Sequence, residues 1–214
     1  ATIDDGVDFP SRNIEKGVAQ PWQKDSLYNK ISLPKNIVEN LKSTNSASFL
    51  VIKDGKLVHE EYFGEYKPTT QTNSFSMAKA ITVLLMGLAI EDHKIQSENQ
   101  KFADFYPNFN EVEHGNELTL RDLAAMEAGY YWDEDYRNPF LQNPRVYYGK
   151  NMAEALLKSP QFEAKPGSRF EYQSGATQLL GFAIRKAVNV PLSAYASQKL
   201  WKPLGMESDA YWNV

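Results

Sequence analysis

Residues 74–92 read Ser-Phe-Ser-Met-Ala-Lys-Ala-Ile-Thr-Val-Leu-Leu-Met-Gly-Leu-Ala-Ile-Glu-Asp. The apolar run from Ala80 to Ile90 is too short to span a bilayer. It reads as a buried helix from Ser76 to about Asp92. Ser76 opens that helix, and Lys79 lies one turn on along the same face. A serine placed there has the backbone N–H groups and the positive helix end around its oxygen. A lysine held against apolar surface loses its proton more readily and can act as a base. Together these form the logic of an activated nucleophile. The same position also suits Ser76 as a plain N-cap, and spacing alone admits both readings.

About one Ser-x-x-Lys is expected by chance in a chain of 214 residues. A second pair, Ser32–Lys35, is better read as the start of a solvated helix, with Ser32 as N-cap and Pro34 in the first turn. Tyr172-Gln173-Ser174 follows a Pro166-Gly167 turn and precedes a helix. A tyrosine near a lysine ammonium can be stabilised as phenolate and take a serine proton. Tyr195-Ala196-Ser197 and Tyr106-Pro107-Asn108 match the same pattern, the first inside an amphipathic helix and the second in an extended segment. Tyr172 sits at a turn-to-helix boundary, where sites are more often built. Spacing alone would favour a core tyrosine with a satisfied hydroxyl.

Working outward, residues 1–30 read as a polar, irregular surface arm, and a short helix follows Pro34. Ala47–Lys53 and Lys56–Tyr62 are β-rich runs around Asp54-Gly55, a pair that favours a tight hairpin. Leu118–Ala128 reads as a helix with Thr119 as N-cap. Gly129–Tyr148 reads as a loop, Met152–Leu157 as a short helix, and Gly175–Val188 and Pro191–Leu200 as two amphipathic helices. A hairpin alone is marginal in water, and no further strand is evident before Val214. The division expected is residues 1–46 as arm and short helix, and 47–214 as part of a larger domain.

Composition excludes several functions. The net charge of −4 comes without a basic run, so no nucleic-acid footprint is present. With no cysteine there is no disulfide, thiolate nucleophile or cysteine zinc site. The three histidines show no HExxH spacing. There is no G-x-S-x-G elbow, G-x-G-x-x-G or P-loop. Glu134 and Asp135 are adjacent and expected to face different ways.

Taken in order, Phe75-Ser76-Met77-Ala78-Lys79, Pro166-Gly167-x-x-Phe170-x-Tyr172-x-Ser174, Leu179-Leu180-Gly181 and Pro203-Leu204-Gly205-Met206 resemble the class C-type serine β-lactamase and penicillin-binding-protein superfamily. Phe49-Leu50-Val51-Ile52 and Trp132-Asp133-Glu134-Asp135-Tyr136 resemble its 6-aminohexanoate-dimer (nylon-oligomer) hydrolase and esterase branch. Met126-Glu127-Ala128-Gly129 stands where β-lactamases and DD-peptidases usually carry a His-Thr-Ser-Gly-like stretch. The resemblance implies an α/β fold of α+β type, with an antiparallel sheet, flanking helices and a helical domain, of which this chain holds the N-terminal part. It implies Ser76 as acylated nucleophile, Lys79 as its partner, Tyr172 as base then acid, and the Ser76 N–H as an oxyanion donor. Tyr136 and Ser174 would contact or support the substrate.

In the family the resemblance implies, a third motif, a Lys/His-Thr/Ser-Gly-like strand, lies far downstream of the Tyr element and is not reached by Val214. A C-terminal polypeptide is therefore expected to complete the fold, and the chain alone is expected to be poorly stable. The implied function is a serine hydrolase of ester or amide bonds that acts on a small-molecule substrate without metal or organic cofactor. A β-lactamase or D,D-peptidase is the alternative. A catalytically inactive homologue that acts as a binding protein for a peptide or partner is the alternative of another class. Such relatives are often exported, which points to the periplasm, with the cytoplasm also open.

Overall fold

Residues 2–135, 137, 141–149 and 151–214 are described by the computed structural model, and the chain divides into two units. One comprises Ala1–Asn73 with Trp201–Val214, the other Ser74–Leu200. Among the described residues, the first holds five strands and one α-helix: β1 (Ser11–Ile14), β2 (Gln23–Lys24), α1 (Lys35–Ser43), β3 (Ser48–Lys53), β4 (Lys56–Tyr62) and β5 (Ala210–Asn213). The Asp54-Gly55 hairpin forms as its sequence predicts. Both turn residues take positive φ, 50° and 72°, and Lys53 pairs with Lys56 across the turn.

The remaining strands lie where no strand signal is visible in the sequence. β2 pairs parallel with β4, so the sheet order is β2-β4-β3. β1 pairs antiparallel with β5, Ser11 opposite Asn213. Their partners are distant in sequence, and neither segment carries a local turn or a long alternation. The stretch read as an irregular arm therefore contains two strands. α1 also starts later than read: Pro34, not Ser32, is its N-cap, in extended conformation (ψ 142°). The residue before a proline is disfavoured in the helical region, which keeps Leu33 outside the helix.

The second unit is helical: α2 (Met77–Glu91), α3 (Leu120–Ala124), α4 (Gln142–Tyr148), α5 (Met152–Leu157), α6 (Ser174–Val188) and α7 (Leu192–Ala196). α2 packs against α6, with Leu85 and Ala89 of one and Leu179, Leu180, Ala183 and Ile184 of the other fully buried. Each buried Leu or Ile there contributes about 1.5–3 kcal/mol. α2 is buried on one face only. Met77 and Leu84 are 71% and 52% exposed, although the unbroken apolar run predicts burial all round.

Thr119 caps α3 through a reciprocal capping box with Asp122. α3 is shorter than the segment read from sequence. Met126 takes φ 60°, and the Glu127 N–H returns to the Asp122 carbonyl, a Schellman-type stop. α4 falls inside the segment read as loop. Its Pro144 lies in the first helical turn, where a missing N–H leaves no hydrogen bond unmade. Lys165-Pro166-Gly167-Ser168 closes a turn, Ser168 N–H to the Lys165 carbonyl at 3.2 Å, with Gly167 at φ 75°.

Candidate active site

Ser76 occupies the N-cap position of α2, but its side chain caps nothing. Its Oγ instead accepts from Lys79 Nζ at 3.1 Å and from the Tyr172 hydroxyl at 2.6 Å. Lys79 Nζ also lies 5.1 Å from the centre of the Tyr172 ring. The backbone just before Ser76 is unusual: Phe75 takes φ 45°, a left-handed value that an aromatic residue rarely adopts. Following residues close the first turn, the Lys79 N–H reaching the Ser76 carbonyl. The Ser76 N–H has no acceptor among the described residues.

Partial burial pushes the Tyr172 phenol up, yet the Ser76 hydroxyl and the Lys79 ammonium stabilise its phenolate and outweigh burial. The group therefore lies below its ordinary value of 10, while the Glu134 carboxylate acts in the opposite sense.

The residues flanking Tyr172, namely Glu171, Gln173 and Ser174, are each tied to the segment before α4. The Glu171 N–H reaches the Met126 carbonyl. Gln173 is buried and donates its side-chain amide to the Tyr130 carbonyl at 2.6 Å. Ser174 donates its N–H to Glu134 Oε2 at 2.9 Å and its Oγ–H to Glu134 Oε1 at 2.5 Å. The Trp132 indole N–H also donates to Glu134 Oε2. Trp132 lies flat enough on Gly175 that a Cβ there would come within 2.4 Å of the ring. α4 adds one more tie, from the Asn143 amide to the Glu134 carbonyl.

Ser76 Oγ is thus within hydrogen-bonding reach of both Lys79 and Tyr172, and Ser174 points to Glu134. Tyr136 lies outside the described residues. The competing tyrosines are engaged elsewhere, Tyr195 with Asp92 and Tyr106 with the Phe182 carbonyl. Asp135 pairs with the exposed Arg137, so it and Glu134 do face different partners. Nothing in the sequence assigns Glu134 a role of its own. Its partner Ser174 is forty residues away, and no local pattern marks the pair.

The chain is similar in sequence and fold to known proteins. The chain is 24% identical over 183 residues to an Escherichia coli K12 protein named "Putative D-alanyl-D-alanine carboxypeptidase", covering 75% of this chain and 42% of that protein. Among solved structures, a "Putative 6-aminohexanoate-dimer hydrolase from Bacillus anthracis" superposes with a TM-score of 0.78 at 21% identity, over 96% of this chain and 59% of the other. A class C β-lactamase from Rhodobacter sphaeroides gives 0.53 at 22% identity, over 80% and 48%. These likenesses establish a β-lactamase/transpeptidase-like fold. The chain spans less than half the length of the curated relative. The Beta-lactamase family model matches residues 34–214, through both the Ser76–Lys79 helix and the Tyr172 segment, and the chain belongs to that family.

Proposed function

We propose that this chain carries the nucleophile of a serine hydrolase that cleaves ester or amide bonds through an acyl-enzyme on Ser76. One observation carries the reading: Ser76 Oγ leaves its capping role and is bound by Lys79 Nζ and the Tyr172 hydroxyl together. In the reactive state the Tyr172 bond reverses. The phenolate accepts the Ser76 proton as Oγ attacks the carbonyl carbon. The developing oxyanion takes the Ser76 N–H as one donor. Tyr172 then returns the proton to the leaving alcohol or amine as the carbonyl–heteroatom bond breaks. Water, deprotonated by the same phenolate, cleaves the ester to Ser76 and restores the serine.

The substrate class favoured is a small ester or amide of the 6-aminohexanoate-dimer type, supported by the Bacillus likeness and the Trp132–Tyr136 stretch. Tyr136 is proposed to contact the scissile amide and Ser174 to support the Tyr172 network. A β-lactamase or D,D-peptidase would use the same residues, and the name of the E. coli relative favours that second reading. The proposal includes a further polypeptide segment beside β3, which is an outer strand of its sheet among the described residues, with Leu50 and Ile52 each 45% exposed. It also includes export, which cell fractionation tests.

Turnover of p-nitrophenyl esters, 6-aminohexanoate dimer and nitrocefin, each against Ser76→Ala, tests the function. Loss of all turnover in the variant supports the acyl-enzyme, and the preferred substrate separates the two readings. Turnover that survives the substitution contradicts both.

A further inference from the structure

We propose that Glu134 is a positioning residue for Tyr172, holding the start of α6 through Ser174 so that the Tyr172 hydroxyl stays on Ser76 Oγ. The inference rests on the catalytic role proposed for Tyr172. Tyr172 is 46% exposed, so packing alone does not fix it. What fixes it is its backbone, and the Ser174 N–H and Oγ, two residues on, both end on one carboxylate. That carboxylate is itself held by the Trp132 indole, whose ring fills the space that Gly175 leaves open. An anion at the first turn of α6 also meets the positive end of the helix.

Two charged groups act on Tyr172: Lys79 from α2 and Glu134 from the segment before α4. They act in opposite directions, which gives the proposal a signature beyond simple loss of structure. Glu134→Gln removes the charge but keeps an acceptor for Trp132 and a donor for Ser174 Oγ. Glu134→Ala removes the anchor as well.

The test measures kcat, KM and the alkaline-side pH profile for p-nitrophenyl butyrate in both variants. Glu134→Gln should keep kcat within about threefold and move the Tyr172 inflection to lower pH. Glu134→Ala should lower kcat roughly 10²-fold with KM little changed, the scale expected of a misplaced catalytic group. Relative to Glu134→Gln, which loses the same charge, its inflection should lie at higher pH, as Tyr172 drifts from Ser76 and Lys79. Thermal melts establish that both variants are folded. The Tyr172 titration is also read without turnover, from the tyrosinate absorbance that Tyr172→Phe removes. If the wild type shows no Ser76-dependent turnover, the hydrolase reading fails, and the absorbance titration still decides the role of Glu134. A Glu134→Ala protein with wild-type kcat, or one in which Tyr172 titrates as it does in Glu134→Gln, overturns the proposal.

Discussion

Tyr172 and Ser76 lie ninety-six residues apart in the chain, and their hydroxyl oxygens are 2.6 Å apart in space. Neither oxygen is satisfied by its own secondary structure. The contact therefore depends on the two supports behind it, the left-handed Phe75 before Ser76 and the Glu134–Ser174 pair after Tyr172.

The phenolate of Tyr172 is the form that accepts a proton, so acylation should slow as pH falls through its pKa. That pKa lies below 10, chiefly because Ser76 and Lys79 overcome the effect of burial. Lys79→Met removes the ammonium and should move the inflection to higher pH. Rates of acylation by an activated ester, followed from pH 6 to about 10, check the sign. An inflection that stays in place would separate the rate from Tyr172.

Tyr172→Phe keeps the ring and deletes only the oxygen. kcat/KM should fall by about 10²–10⁴, the usual worth of a general acid–base group. Because the side chain is half exposed, the melting temperature should barely change. Parallel kinetics and calorimetry distinguish lost chemistry from lost structure.

Gly175→Ala places a methyl group against the Trp132 ring. Overpacking of this kind costs about 1–3 kcal/mol. Denaturant unfolding should report that loss together with lower activity, because Trp132 carries Glu134 with it. A variant as stable and active as wild type would show that the ring has room to move.

Tyr136→Phe should impair amide substrates more than activated esters, since a hydroxyl that stabilises a poor leaving group matters less when the leaving group is good. Paired kcat/KM values for 6-aminohexanoate dimer and a p-nitrophenyl ester check this, and equal losses would count against an amide contact.

Much of the frame is legible in the sequence because it is local. The Asp54-Gly55 turn, the Thr119 capping box and the apolar α2 each announce themselves within a few residues. What was missed is non-local or hidden by composition. β1 finds its partner at the far end of the chain, and α4 begins within a Tyr-, Asn- and Pro-rich stretch that reads as loop. Glu134 reads only as one of two adjacent acids, because its partner Ser174 is forty residues away. Phe75 carries no local signal at all, because a phenylalanine is an unexpected occupant of left-handed backbone.

The most direct test of the central claim is an intact-mass spectrum of the purified protein before and after treatment with a fluorophosphonate, with Ser76→Ala alongside. A single adduct on the wild type, mapped to the peptide containing Ser76 and absent from the variant, is the result expected. No adduct on the wild type, or equal labelling of both proteins, would contradict Ser76 as the nucleophile.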